Sequence, residues 1–458
     1  MKSRWLIFTM CVFLAAAVTG CGGEKAKEHI TLTIWHVYGD QSDSPLNAFI
    51  DEFNSKAGKE QGINVVVTSV ASTNNIHHAV LSAARGEPGA PALPDMFISY
   101  PKTIAALDDK NILVDYHEYF TENELSAYIR PFLNEGYFDN KLLIFPIAKS
   151  TEVLYVNNTI FKRFAAENGL DISALSTWEG LFDAAGKYYE WTDAKTPGIP
   201  FDGKAFLAHG YPFHYFQVGV ESLSEPFFKD GKLSFTDAYE TAFRLIAGAG
   251  IKGGLWLDSD AATGGPMRTG EVVCALGSSA GFRIGPREVI YQDNTTEEME
   301  VVLLPCPVFR DGQKLVVQRG AGVCTIRSTP EKEAAACVFL KWITEPEINT
   351  NFVTSAGYLP VTEEARDTQF EKAISNLKMQ DAIDLYEVVL EIKSQYEFYQ
   401  PPNIAGYLEM EEMLSYGLLK AILGAREKYI SHPGISPDEL IDESFLTFKS
   451  FLSGMTAD

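Results

Sequence analysis

Thr31-Leu-Thr-Ile-Trp-His-Val37 alternates and is rich in β-formers, so it reads as a strand. Ser44-Pro45 follows as a helix cap with proline at the first helical position, and Leu46, Phe49, Ile50 and Phe53 recur on one helical face. Asn64 to Val70 reads as a second strand and Ile76 to Arg85 as a second helix. Pro94-Asp95 then introduces a short strand, Met96 to Ser99. This βαβα rhythm predicts a parallel α/β lobe.

Working outward toward the N-terminus, Lys2 and Arg4 precede an apolar run, Trp5 to Thr19, of signal-peptide length. A membrane span needs about 20 such residues, so this run is too short to be a comfortable one. It ends in Val18-Thr19-Gly20-Cys21, which looks like a bacterial lipobox with Cys21 as the lipidated residue. Residues 1–20 are thus expected to be a signal peptide and 21–29 a polar, lipid-anchored tether. An ordinary cleaved signal with an incidental Cys21 is the plainer alternative.

Toward the C-terminus, Leu143 to Pro146 and Val153 to Val156 read as strands, with Asn158 capping a helix through Phe164. Capping boxes at Ser176–Glu179 and Ser328–Glu331 open two further helices. Val272 to Leu276 and Val301 to Leu304 read as strands, and the stretch from about Thr362 to Met455 is almost wholly helical in pattern.

The formal net charge is −23 and becomes −25 once Lys2 and Arg4 are removed. An acidic surface repels phosphate backbones, so nucleic acid is not an expected partner. With 46% hydrophobic and 12% aromatic residues over 458 positions, the chain can bury two domain cores. Cys274, Cys306, Cys324 and Cys337 form no C-x-x-C and have no histidine at ligand spacing, so neither a metal nor any other cofactor is expected. Each sits in an apolar run. Buried free thiols are slightly preferred over disulfides.

Several ordered segments resemble the family 1 extracellular solute-binding proteins. They are Thr31-Leu-Thr-Ile-Trp-His36, Pro94-Asp-Met-Phe97, Phe145-Pro-Ile-Ala-Lys-Ser-Thr-Glu-Val-Leu-Tyr-Val-Asn157, Ser176-Thr-Trp178, Arg268-Thr-Gly-Glu271, Phe339-Leu-Lys-Trp-Ile343 and Tyr358-Leu-Pro-Val361. Ile34-Trp-His36, Leu276-Gly-Ser-Ser-Ala280 and Gly357-Tyr-Leu-Pro-Val-Thr362 are similar to the glycerol-3-phosphate binders of that family. That subgroup carries a basic Arg-x-Gly-Asn stretch that helps hold phosphate. The counterpart here, Asn403-Ile-Ala-Gly-Tyr407, has no arginine, which favours a neutral ligand over a phosphoester.

The resemblance implies an α/β, two-lobed periplasmic-binding-protein-like fold with a hinge and a helical C-terminal region. Residues 30–145 plus about 287–345 would form the N-terminal lobe, and 146–286 plus about 346–458 the C-terminal lobe. A monomer would close on a sugar-like ligand and present it to an ABC permease at the outer face of the cytoplasmic membrane.

Ligand-binding candidates are Trp35, His36, Tyr38 and Asp40 at the first strand's end, and Ser99 and Tyr100 at the third's. Thr151 and Glu152 lie at the expected first crossing between lobes. Tyr211-Pro-Phe-His-Tyr-Phe216 supplies a ring platform or a packed loop, with Tyr211, Phe213 and His214 as candidates. Ser278, Ser279, Gly320 and Tyr358 complete the set. Against each stands a bland account: core packing, a solvated side chain or an interlobe salt bridge.

Two other classes compete. Gly277-Ser-Ser-Ala-Gly281 matches the nucleophile elbow of a serine hydrolase, but Arg283-Ile-Gly-Pro286 breaks the helix that must follow. A surface scaffold of the same fold without transport is the third reading.

Overall fold

The computed structural model describes residues 29–455 apart from 38–43, 71–72, 258–263, 284 and 433. The expected signal peptide, most of the tether and Cys21 lie outside the described residues, as do Tyr38 and Asp40.

Ten strands build two five-stranded sheets. They are β1 (Ile30–His36), β2 (Ile63–Val70), β3 (Met96–Ser99), β4 (Phe145–Pro146), β5 (Glu152–Asn157), β6 (Leu207–His209), β7 (Leu255–Trp256), β8 (Cys274–Ser278), β9 (Val301–Pro305) and β10 (Gly322–Thr325). The first sheet has the order β2-β1-β3-β10-β4 and the second β7-β6-β8-β5-β9. In each, three parallel strands are followed by one antiparallel strand and then a strand antiparallel to that one. The antiparallel member is in both cases the strand by which the chain arrives from the other lobe. β5 enters the second sheet from β4, and β10 enters the first from Val317.

Strand periodicity sets the layers. In β1, Leu32 and Ile34 face the helices Pro45–Ser55 and Pro330–Ile343, whose Phe53 and Phe339 rings meet edge-on at 5.1 Å. Trp35 points to the opposite face and joins Ile76, Val80 and Phe97 beneath the helix Thr73–Arg85. A lobe covered on both faces can bury its parallel strands completely. β5 and its counterpart β10, the antiparallel members, are buried along their whole lengths.

The expected lobe boundaries need three corrections. β9 pairs with β5 and so belongs to the second lobe, although residues 287–345 were assigned to the first. The helix Pro346–Ala356 packs on the first lobe instead of the second, with Phe352 edge-on to Phe49 at 5.5 Å and Asn349 Nδ2 donating to the Ile147 carbonyl. Phe145–Pro146 also stays wholly in the first sheet. Apolar faces, not chain position, decide which sheet a segment covers.

Helix caps shift by one residue. Asn157 rather than Asn158 caps the helix Asn158–Asn168, its Oδ1 accepting from Ile160 N at 3.1 Å. Thr177 and Thr329 likewise replace Ser176 and Ser328 as caps. Cys274, Cys306, Cys324 and Cys337 are buried and unpaired.

Three segments cross side by side between the lobes. Ser150 exchanges both backbone hydrogen bonds with Arg319 (2.9 and 2.8 Å), and Lys149 does the same with Leu359 (3.2 and 2.6 Å). Beside them the strand Leu315–Val317 pairs in parallel with Glu397–Tyr399. Gly320 completes the crossing at φ +107°, where a Cβ would meet Lys149 Cα and the Ala148 carbonyl at 2.9 Å. Only glycine fits there.

Candidate functional site

The crossing delivers Glu152 and Arg319 to the same point. Glu152 begins β5 and its Oε1 accepts from His214 Nδ1 at 2.7 Å and from Arg319 at 3.2 Å. The helix Pro212–Ser222, opened by a proline at its first position, presents His214 from its first turn and Tyr211 from its cap. The Arg319 guanidinium lies over the Tyr211 ring, 4.0 Å from its centroid, and Tyr211 stacks against His214 with centroids 5.7 Å apart.

Burial opposes ionisation of Glu152, but His214 and Arg319 outweigh it and leave the carboxyl below its ordinary range. Burial likewise opposes the charge on Arg319, yet Tyr211 and Glu152 raise its pKa further. Both groups are therefore charged, and each is answered by the other.

Tyr100, at the end of β3, and Tyr358, after the helix Pro346–Ala356, bring two more rings from the first lobe. Both act electrostatically on Arg319 or on each other, and both are half-buried. Burial, reinforced by Tyr100, drives the Tyr358 phenol upward, so it stays protonated as a donor. Beyond them Lys102 of the helix Pro101–Ala105 meets Glu411 of the helix Tyr407–Ser431. The site thus gathers Tyr100, Glu152, Tyr211, His214, Arg319 and Tyr358. Its formal charges are matched within it, and the phenols of Tyr100, Tyr211 and Tyr358 lie close enough to interact with Arg319.

The remaining expected residues fall elsewhere. Trp35 is core, as described above. His36 is fully buried, with Nε2 2.8 Å from Asn47 Oδ1, and burial lowers its pKa against the opposing pull of Asn47. Phe213 packs edge-on to Phe227 and Tyr407 inside the second lobe. Thr151 is buried with its hydroxyl donating to the Val317 carbonyl at 3.0 Å, a crossing bond. Ser99 is fully buried at the end of β3, and its hydroxyl has no hydrogen-bond partner among the described residues. Gly320 serves the backbone crossing.

Ser279 is also buried, and its hydroxyl donates to the Gly357 carbonyl at 2.9 Å. Ser278 accepts at its carbonyl from the Tyr155 phenol at 2.8 Å. The glycines around them have a packing reason: a Cβ on Gly277 would sit 2.9 Å from the Tyr155 ring, and one on Gly281 3.3 Å from its hydroxyl. The nucleophile-elbow pattern is therefore a seat for Tyr155, and the Ser279 oxygen is committed to backbone.

Arg319, Lys102 and Glu411 were missed by sequence reasoning. The signal for Arg319 was the Gln318-Arg319-Gly320 run ahead of a buried strand, whereas residues 403–407 hold no arginine. Asn403, in that stretch, donates to the carbonyls of Glu135 (3.0 Å) and Tyr137 (3.2 Å) and so ties the segment to the first lobe.

The family model described as bacterial extracellular solute-binding protein matches residues 48–378. No curated protein matches the chain. Among solved structures it is similar to the cyclic alpha-maltosyl-1,6-maltose binding protein from Arthrobacter globiformis, with 18% identity and a TM-score of 0.65, covering 93% of this chain and 99% of that one. An ABC substrate-binding protein from Listeria monocytogenes in complex with cycloalternan gives 16% identity and a TM-score of 0.67 over 93% and 99%. UgpB from Mycobacterium tuberculosis in complex with glycerophosphocholine gives 17% and 0.67 over the same shares. At these identities the likeness establishes the fold. Among the described residues no helix is long and apolar enough to cross a membrane. Members of the matched family bind a small solute outside the cytoplasm for an ABC transporter and are not enzymes. The chain belongs to the bacterial extracellular solute-binding proteins.

Proposed function

We propose that the protein captures a neutral, hydroxyl-rich solute of the carbohydrate class between its two lobes, and that it works as a monomer tethered outside the cytoplasmic membrane through a lipid on Cys21. The observation that carries this reading is charge compensation beside rings. Glu152 is answered by His214 and Arg319, Lys102 by Glu411, and Tyr100, Tyr211 and Tyr358 flank them. Such a site has no surplus charge to offer an ion. It has paired donors and acceptors for hydroxyls, and aromatic surface for sugar C–H faces. Maltose, cycloalternan and ribitol, bound by structural neighbours, support the same class.

One observation favours a second ligand class. Arg319 places a guanidinium in the cleft, and such a group binds phosphate in two-toothed fashion when free to do so. Here Glu152 holds it, so a phosphodiester would have to displace a buried carboxylate partner.

Thermal unfolding of the protein against mono- and oligosaccharides, polyols and glycerophosphodiesters tests both. A ligand that prefers the folded state raises the midpoint by mass action. A rise of several degrees with one neutral saccharide or polyol is expected. A response to phosphodiesters alone overturns the carbohydrate reading, and a flat response to all compounds leaves a scaffold instead. Metabolic labelling with a fatty acid, in the natural chain and in Cys21→Ser, checks the anchor: label should appear only in the former.

A further inference from the structure

Lys102 and Glu411 come from different lobes. Lys102 is on the short helix that follows β3 of the first sheet. Glu411 lies on the helix Tyr407–Ser431, which packs on Asp237–Lys252 and Pro437–Met455 and is fixed to the second lobe by Tyr407, whose hydroxyl donates to Gln217 Oε1 at 2.7 Å. Their side chains make a direct hydrogen-bonded ion pair and are only 20% and 19% exposed. The pair is not part of the three crossing strands that join the lobes covalently.

From this geometry we infer that Lys102 and Glu411 form a charged latch across the cleft, holding the lobes closed by an attraction that needs no ligand. This goes beyond the proposed ligand and does not depend on it.

Neighbouring charges favour the latch. The acidic start of the helix Tyr407–Ser431 carries Glu409 as well as Glu411. Arg85, at the end of the helix Thr73–Arg85 and bonded to Asp108 at 3.1 Å, presents a second cation of the first lobe on which Glu409 acts. Burial opposes the charge on Glu411, but Lys102 and then His214 outweigh it. The neighbouring His77 is kept neutral at physiological pH by burial, its pKa lowered to about 4, so it does not compete with Lys102 for the carboxylate. A pair so shielded from water is screened less by salt than an exposed one, yet it is not sealed. Opening the lobes must break it; closing them remakes it. The latch therefore biases the open–closed equilibrium and slows solute entry.

The test uses the full chain with Cys11→Ser and Cys21→Ser and with dyes on one exposed site per lobe, Lys59→Cys and Glu190→Cys, the four cysteines among the described residues being buried. Single-molecule energy transfer, with no solute added, reads the open-to-closed ratio. Lys102→Met should raise that ratio about fivefold, and Glu411→Gln should do the same. The exchange Lys102→Glu with Glu411→Lys should return it toward the natural value. Added salt should open the natural chain more than it opens Lys102→Met. Equal ratios in the natural chain and in either single variant, or an exchange that opens the lobes further, overturn the latch. Two near-isosteric single variants, one in each lobe, guard against one that fails to fold, and thermal unfolding identifies it. Because no solute is present, a failed saccharide panel leaves this result untouched.

Discussion

Two buried carboxylates flank the crossing strands, Glu135 at the end of the helix Arg130–Asn134 and Glu152 at the start of β5, and they have opposite fates. Glu135 meets Lys149 and Gln318, with Lys149 Nζ also donating to the Gly320 carbonyl at 3.1 Å, and the cluster is sealed on all sides. Glu152 meets His214 and Arg319, whose side chains keep 14% of their surface exposed and lie against the Tyr211 ring. Chemically the two are alike: one carboxylate, one cation and one further polar group. What separates them is which side of the crossing each side chain leaves. The first is trapped between backbone segments, so it can only hold the hinge together. The second is buried too, but it meets partners from the helix Pro212–Ser222 and the Arg319 crossing, and on the proposed reading a solute exchanges with those partners.

The sharpest way to break this contrast is to remove one member of the sealed cluster. Lys149→Met leaves Glu135 buried without its cation, and denaturant unfolding should show a loss of about 3–5 kcal/mol. A loss under about 1 kcal/mol would mean that water reaches the cluster and that the two carboxylates are not different after all. Glu152→Ala should do the reverse. Affinity for whichever compound stabilises the protein should fall by about 2–3 kcal/mol, read by titration calorimetry, because a buried hydrogen-bonded charge pair loses a partner.

Acid sharpens the picture on the first-lobe side of the cleft. Burial lowers the pKa of His77 to about 4, and its ring stays neutral in the fold. The unfolded chain binds that proton near pH 6.5, so stability should hold above pH 7 and fall as pH drops toward 4. The loss should be about 2 kcal/mol by pH 5 relative to His77→Gln, measured by denaturant titration at each pH. Asn403→Ala should show the smallest effect. It removes two hydrogen bonds to first-lobe carbonyls for about 1 kcal/mol, with ligand affinity unchanged if the segment is a tie and not a binding loop.

Local chemistry made much of this legible from the chain. The alternation in Thr31–Val37, the cap and proline at Ser44-Pro45 and the Pro94-Asp95 entry translate directly into β1, the first helix and β3, because the periods of strand and helix are written in neighbouring residues. β6 and β10 were not recognised: β6 is three residues long, β10 is four with no alternation, and such short buried runs carry no period to read. Of the candidate site, Tyr100, Glu152, Tyr211, His214 and Tyr358 were named from strand ends, a crossing and a ring-rich loop, and they converge. Ser279 and Phe213 were named for their residue types, yet packing turned them inward.

The sequence by itself determined one parallel α/β lobe, a chain long enough for two domains, a surplus of acid and no metal-ligand pattern, since composition, periodicity and capping act over a few residues; the two-lobed arrangement came from the family resemblance. Only the tertiary structure decided that Arg319 would answer Glu152, that Lys102 would reach Glu411 more than three hundred positions away, and that Val301–Pro305 would join the second sheet. Those choices depend on which strands cross side by side and which apolar faces remain to be covered. Long-range pairing of that kind leaves no mark in the residues on either side.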